Sequence, residues 1–580
     1  MTKFLLVAVN AKYIHSNPAL YSLKAFAAQY ESHIEIAEYT INNQTEHILA
    51  DIYKKKPTML AFSCYIWNWD MIQELIVELH KLLPEVPIWL GGPEVSYDAV
   101  TTMRKLPQLE GIMIGEGENT FLELMGYYVD GKGSLPKISG IITRAGINAP
   151  RELTNMDDLP FLYHDLDEFD HKIIYYESSR GCPFRCSYCL SSIDKTVRLR
   201  DIEIVKQELQ FFLDSMVSQV KFVDRTFNCN HAHAMAIWRY LKEHDNGVTN
   251  FHFEISADIM NEEEIALLHS LRPGFVQLEI GVQSTNAVTL KEIHRYVQFE
   301  ALKKVVEQIK SGENIHIHLD LIAGLPYEDY DSFANSFNEV YAMRPQQLQL
   351  GFLKILKGSQ MQEQAEKYGI QYTDRPPYEV LYSKWLSYED VIRLKAVEEM
   401  LELYYNSNQF TTTLPALEQL FQSPFAFYEA LADFYEQKGY FNQSPSRVYR
   451  YEVLQQFALE IDSKHGDVYR ELLTHDCYLR ENLKSRPSFS MENTVGKEQL
   501  RDFYEREEKN RTYLAGYEEY DAKQMSKMTH MEAIAYPLWA SGTQRVYNRL
   551  SKEQYLLFDY RNRDALTHQA TITYIEDEQG

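Results

Sequence analysis

Cys182, Cys186 and Cys189 lie in SSRGCPFRCSYCLSS at 178–192 with the spacing C-x3-C-x2-C, and no fourth cysteine stands near them in sequence. Structural zinc takes four ligands, usually as two separated pairs, and the chain offers no second pair to match this loop. His171 precedes the strand-like IIYYESS, while Cys64 and Cys229 belong to other elements. Three thiolates suit a four-iron cluster with one iron left open to an external ligand, and an open metal position marks a reactive centre rather than a structural one. Gly181 and Pro183 fit a loop wrapped closely around such a cluster, and Arg180 and Arg185 offset part of its negative charge. Cys229 reads as a small buried residue rather than a further ligand.

The elements that must position this loop follow from periodicity. Apolar FLLVAV (4–9) is followed by the loop NAKYIHSNP and by Leu20, Leu23, Ala27 and Tyr30 at helical spacing. The alternation continues with MLAFSCYI (59–66), a helix carrying Ile72, Leu75, Ile76 and Leu79, then IWLGGPEVS (88–96) and IMIGEGENTFLELM (112–125), which predicts a doubly wound parallel sheet. The strand ends NAKYIHS, SCYIWNW, GGPEVS and GEGENTF converge on one edge, where such sheets bind ligands. A Pro-containing acidic linker over 146–170 leads to a second alternation, with strands expected at 219–227, 250–258, 275–284, 315–326 and 347–356 besides the one before the cysteines. Six parallel strands suit a partial (β/α) barrel, in which Asp224, at a strand end, is a candidate catalytic residue. From 369 to 580 the chain turns mainly helical and rich in tyrosine, with two short strands, QYLLFDYR and ATITYI, near its end.

At 580 residues the chain needs several cores, and 45% apolar with 24% charged residues is the balance of folded domains. A net charge of -25 without a basic run argues against nucleic acid as a partner. No stretch approaches a membrane span, and FLLVAV is too short for a signal sequence. Six cysteines, three of them in one loop, point to metal in a reducing compartment, so a cytoplasmic location is expected.

The cysteine spacing, with Tyr188 just before the third cysteine, resembles the signature of the radical S-adenosylmethionine (radical SAM) superfamily. FVQLEIGVQS, DLIAGLPYED and LQLGFLKILKGS resemble its fourth, fifth and sixth strand motifs, and GGPEVS and GEGENTF resemble those of the cobalamin domain that precedes the barrel in one branch. The helical tail resembles the uncharacterised C-terminal region of one subgroup of that branch. The resemblance implies a Rossmann-like cobalamin-binding domain (1–145), a linker (146–170), a radical SAM partial barrel (171–368) and a helical C-terminal domain (369–580).

It further implies a [4Fe-4S] cluster on Cys182, Cys186 and Cys189 and an S-adenosylmethionine that chelates the open iron and is cleaved reductively to a 5'-deoxyadenosyl radical. Tyr188, Glu279, Gln283 and Ser284 would contact that cofactor. Cobalamin would be held by Asn10, Tyr13, His15, Ser16, Ser63, Trp67, Gly91, Gly92, Glu94, Gly115, Glu116 and Gly117. The D-x-H-x-x-G motif that supplies a lower cobalt ligand is absent from 1–145, so His15 is not expected to serve as one, and Trp67 is the candidate for that face. Methyl transfer to a small-molecule or peptide substrate is the implied outcome, with an external donor such as a flavodoxin or ferredoxin supplying electrons. Radical cyclisation or rearrangement without methyl transfer is the alternative. An RNA methylthiotransferase shares the loop but carries further cysteines in its first domain, where this chain has Cys64 alone. A non-catalytic electron-transfer protein would not need an open iron.

Overall fold

The computed structural model describes residues 3–443 and 445–575. The first unit is a sheet of β1 (Phe4–Asn10), β2 (Ile34–Thr40), β3 (Met59–Ser63), β4 (Ile88–Gly91), β5 (Gly111–Met113), β6 (Ile141–Thr143) and β7 (Gly146–Ile147), in the order β2-β1-β3-β4-β5-β6-β7. The first five strands run parallel, and β6 and β7 are antiparallel. Every residue of β1 is buried, as a central strand covered on both faces must be. Leu5, Val7, Phe62 and Ile76 pack on one face, and Phe4, Leu6, Leu23 and Phe121 on the other.

Three of these strands were not visible in the sequence. β2 is an edge strand in which only Ile34 and Ala37 are buried, so it lacks the continuous apolar run that marks its neighbours. β6 and β7 form a short hairpin, and because Gly146 and Ile147 pair with β6, the first sheet runs past the expected boundary at 145.

The second unit holds β8 (Ile174–Tyr176), followed by the short antiparallel pair β9 (Ser179–Arg180) and β10 (Arg198–Leu199). Next come β11 (Gln219–Phe222), β12 (Asn250–Ile255), β13 (Val276–Gln283), β14 (His316–Ala323) and β15 (Gln347–Phe352). Six parallel strands, ordered β8-β11-β12-β13-β14-β15, give the expected partial barrel, open between β8 and β15 among the described residues. In β12, β13 and β14 buried and half-buried residues alternate. The apolar set, such as Leu278, Ile280 and Leu319, packs on the surrounding helices in one core with Leu209 and Val306, so the polar set faces the lumen.

The C-terminal region begins with the hairpin β16 (Gln371–Tyr372) and β17 (Val380–Tyr382) and continues through helices Tyr388–Met400, Pro424–Lys438, Tyr449–Ile461 and Gly466–Arg480. It ends in an antiparallel sheet of β18 (Thr529–Ile534), β19 (Gln554–Arg563) and β20 (Ala570–Ile575), which adds one strand to the two expected. Barrel and C-terminal helices share one core: Phe337 meets Phe425 and Tyr428 edge-on. The buried tyrosines satisfy one another, with Tyr404 Oη 2.6 Å from Tyr435 Oη and Tyr341 Oη 2.8 Å from Tyr428 Oη. No described helix is long and apolar enough to cross a membrane.

Ion pairs and backbone contacts fasten the first unit to the barrel. Ile173 N–H donates to Ile14 O at 2.8 Å, and Lys172 Nζ lies 2.5 Å from Glu38 Oε2. Lys357, just after β15, reaches Glu94 at 2.6 Å. The linker is tied down by Arg200, which donates to Leu159 O at 2.7 Å and forms a two-point ion pair with Glu208 at 2.6 and 2.9 Å, while Tyr176 Oη donates to the same carboxylate. Both charges are buried, so Arg200→Met leaves an unpaired carboxylate in the interior. This substitution is expected to cost about 3 kcal/mol or more, measured as a fall in the denaturant midpoint of the barrel.

Candidate active site

The cysteine loop leaves the carboxyl end of β8, and four independent contacts fix it there. Ser178 N–H and Oγ donate to Asp224 at 3.0 and 2.7 Å, and Ser179 Oγ donates at 2.5 Å. The β9–β10 pairing sets the entry angle. Gly181 has a φ of 102°, and a Cβ there would meet Thr196 O at 1.9 Å, so no other residue fits. At the far end Ser187 N–H donates to Ile293 O at 3.0 Å, and Met361 N–H donates to Ser187 O at 2.8 Å. Tyr188 packs against the apolar group around Leu290, Ile293 and Leu325, and burial raises its hydroxyl pKa.

Cys182 and Cys186 are buried and Cys189 is half-buried. Cys182 Sγ lies 3.6 Å from Thr226 Oγ1, and Arg295 Nη1 points at Cys186 Sγ from 3.8 Å. Burial raises the pKa of the Cys186 thiol, while Arg295 works in the opposite direction and favours the thiolate. Among the described residues, the three thiols are not a group whose ligand atoms all lie within 4.8 Å of one another. Three thiolates would also leave a tetrahedral zinc ion one ligand short. Ser187 Oγ, Gln283 Oε1 and Arg295 Nε beside the loop are buried without hydrogen-bond partners, which is the polar lining an external ligand would satisfy.

Gln283 and Arg295 owe their places to an irregularity in β13. The register with β14 shifts between Gly281 and Gln283, and Gln283 adopts a left-handed φ of 72°. Its amide folds over Gly281, where a Cβ would meet Gln283 Nε2 at 2.1 Å, and Arg295 donates to Gly281 O. Backbone strain at a non-glycine residue beside a reactive loop is characteristic of functional sites.

Gly181 and Leu190, which flank the cysteines, line a cavity of about 950 Å³ between the barrel mouth and the strand ends of the first sheet. That size is at the upper end for small-molecule sites. Ten of the residues expected to hold a cofactor meet there: Asn10, His15, Ser16, Ser63, Trp67, Gly91, Gly92, Gly115, Glu116 and Gly117. Gly92 is a cradle that only glycine can make, with a φ of 108° and a Cβ position 2.5 Å from Cys64 O. Ser16 Oγ is buried in the wall without a partner. Trp67 lies parallel to Tyr65 at 4.3 Å, donates to Val9 O at 3.2 Å and remains 44% exposed, leaving a broad aromatic surface on the cavity. His15 Nδ1 is 2.6 Å from Tyr175 Oη, which spends that nitrogen on the barrel rather than on a metal.

The structure redirects several expected residues. Asp224 is 1% exposed, is surrounded by three donors and does not line the cavity; burial pushes its pKa up to about 6 against those donors. It positions the loop and is not placed to touch a substrate. Ser284 points away from the lumen and donates to Glu328 at 2.6 Å. Glu94 accepts from Lys357 and Tyr378 as a domain clamp, and Tyr13 is 67% exposed outside the cavity. Glu116 faces the cavity but is paired with Arg198 and Arg180; burial opposes its ionisation, yet those cations and Thr154 N–H hold its pKa below the usual range. Glu279 lies deeper, inside the barrel, 3.2 Å from Lys221 and 3.0 Å from His252. Arg295, Tyr65 and Arg198 were missed because their meaning comes from partners distant in sequence.

Comparison with known proteins agrees with this geometry. Residues 5–125 match the B12 binding domain, residues 176–340 the radical SAM superfamily, and residues 366–558 a protein family of unknown function, DUF4080. The cobalamin-dependent radical SAM methyltransferase TokK of Streptomyces tokunonensis is 26% identical over 366 residues, 55% of this chain and 51% of that protein. The 2-(S-pantetheinyl)-carbapenam-3-carboxylate methyltransferase of Streptantibioticus cattleyicolor is 25% identical, over 49% of this chain and 45% of its own. The chain thus spans about half the length of these relatives. The fold is similar to that of the radical S-adenosylmethionine methyltransferase TsrM from Kitasatospora setae (TM-score 0.55, 17% identity, 65% of this chain and 80% of that one). It is equally similar to that of the cobalamin-dependent S-adenosylmethionine radical enzyme OxsB (TM-score 0.55, 14% identity, 82% and 79%).

A B12-binding domain followed by a radical SAM domain is thus the class that fold and site define. Within that class, residues 366–558 of this chain match the DUF4080 region, so all three domain models fall on it in sequence. The cofactors of these two domain types are a [4Fe-4S] cluster, S-adenosylmethionine and cobalamin.

Gly181→Ala is expected to displace the loop and lower iron per chain several-fold after anaerobic reconstitution, with the far-ultraviolet circular dichroism unchanged. Asp224→Asn, which keeps the shape but weakens three donor contacts, is expected to give a smaller loss of iron.

Proposed function

We propose that the protein is a cobalamin-dependent radical SAM methyltransferase acting on a carbon centre of a small-molecule or peptide substrate. The observation that carries this reading is that the cysteine loop and the glycine-ended strands of the B12-binding domain border one cavity. When bound, the cluster and cofactors supply radical initiation from S-adenosylmethionine and a cobalt-borne methyl donor. The chain supplies the geometry. Gly115, where a Cβ would stand in open space, lets backbone approach a large planar group, Gly92 makes the tight turn against Cys64, and the Trp67–Tyr65 stack offers an apolar face. Arg295 sets the charge beside Cys186, and Gln283, its amide oxygen unpartnered, supplies an acceptor beside the loop. Pro160, Phe161 and Leu162 of the linker form an apolar wall that limits water at the cavity.

An external single-electron donor, such as a flavodoxin or ferredoxin, fits this chemistry, and the cytoplasm fits a thiolate cluster. The RNA methylthiotransferase reading is weakened by Cys64, which is fully buried with its thiol pKa raised by desolvation, so the first domain has no place for a second cluster.

The reading is tested by reconstituting the protein anaerobically with all three cofactors and a reductant. Methyl-labelled S-adenosylmethionine and the small-molecule and peptide fractions of a cell extract are then added. A component that gains one labelled methyl group, together with 5'-deoxyadenosine, is expected. A product rearranged without gaining label would replace methyl transfer by a radical cyclisation. Trp67→Ala is expected to weaken cobalamin retention by about ten-fold or less, as loss of one aromatic contact implies, without changing iron content.

A further inference from the structure

The barrel lumen holds a second group of ligand-type side chains that neither the cysteine loop nor the cavity uses. Glu279 on β13 lies beside His318 on β14, Asp320 follows two residues later beside Gly281, and His252 on β12 lies next to Gln277 one layer below. Ligand atoms of Glu279, His318 and Asp320 all lie within 4.8 Å of one another, and no other three such residues among those described converge in this way. His252 Nε2 stands 3.0 Å from Glu279 Oε2, and His318 Nε2 stands 3.1 Å from Asp320 Oδ1.

Those separations are short enough for hydrogen bonds, yet His252 Nε2, His318 Nε2 and Asp320 Oδ1 are buried without a hydrogen-bond partner. Nitrogen and oxygen atoms in contact but misaligned for a shared proton are placed as ligands of a common cation are. Neighbouring donors at about 2.1 Å from an octahedral metal sit about 3.0 Å apart.

We propose that Glu279, His318 and Asp320, assisted by His252, form a second metal site within the barrel, for a divalent first-row transition ion and separate from the iron-sulfur loop. Two carboxylates with imidazole make a hard-to-intermediate donor set, suited to manganese(II), iron(II) or zinc(II) rather than to the thiolate-loving ions. Lys221, 3.2 Å from Glu279 Oε2, is the group such an ion displaces, and its flexible stem lets the ammonium swing aside.

Manganese(II) is the probe, because it avoids thiolates and its free form is read directly by its six-line electron paramagnetic resonance signal. It is titrated into protein carrying its cluster in the diamagnetic oxidised state. One ion per chain is expected, with affinity falling at least about ten-fold in both Asp320→Asn and His318→Gln, and rising in Lys221→Met because a competing cation is gone. Iron content of each variant reports that the barrel is intact. Absence of one-to-one binding, binding that survives both D320N and H318Q in iron-replete protein, or weaker binding in K221M would overturn the proposal.

Discussion

Three thiols within eight residues must be held in place, beside a cavity that Gly181 and Leu190 border, by a loop that has no regular structure of its own. The rest of the molecule can be understood as the means of doing this. Asp224 gathers the backbone and hydroxyls of Ser178 and Ser179 at the start of the loop, Gly181 lets the chain pass against Thr196, and Ser187 is fastened at the far end to Ile293 and Met361. Asp224, Ile293 and Met361 come from different elements of the barrel domain, so the loop geometry is a property of the assembled domain and not of the local sequence alone. A buried carboxylate with three donors is costly to form and costly to disturb, which is why it serves better as an anchor than as a reagent.

The second requirement is that the first domain sits over this loop at a fixed distance. The contacts that set it are electrostatic and lie around the cavity rim: Glu116 with Arg198, Glu118 with Arg180, and Glu94 with Lys357. All three carboxylates come from the turns and helix starts that follow β4 and β5 of the B12-binding domain, and all three cations come from the barrel or its exit. The residues that could have been free to bind a cofactor therefore divide into two groups. Glycines and small polar residues shape the cavity, and acids bind the domains together.

The sequence made the local features legible. Cysteine spacing, glycine-ended strands and period-two alternation each signal within a dozen residues, and they located the loop, the sheet edge and the six barrel strands. What it hid was relational. Glu116 and Glu94 both follow glycines near strand ends, and nothing local separates an acid that lines the cavity from one that only clamps a lysine far along the chain. Arg295 sits in an unremarkable HRYVQ stretch, and only the register shift in β13 brings it to Cys186. Ser284 and Gln283 are adjacent, yet the strand pleat sends one to Glu328 and the other over Gly281. The edge strand β2 escaped notice because partial exposure erases the apolar signal, and β18 because His530 and the buried Glu532 interrupt its apolar run.

The central claim is that one iron of a cluster on Cys182, Cys186 and Cys189 lacks a protein ligand and is open to the cavity. It is tested most directly by electron paramagnetic resonance of the reduced, reconstituted protein with and without S-adenosylmethionine. A reduced four-iron signal whose g-values shift on addition of the cofactor is the predicted result. A four-iron signal that the cofactor leaves unchanged at saturating concentration, or reconstitution that yields no four-iron cluster on these cysteines, would contradict the account.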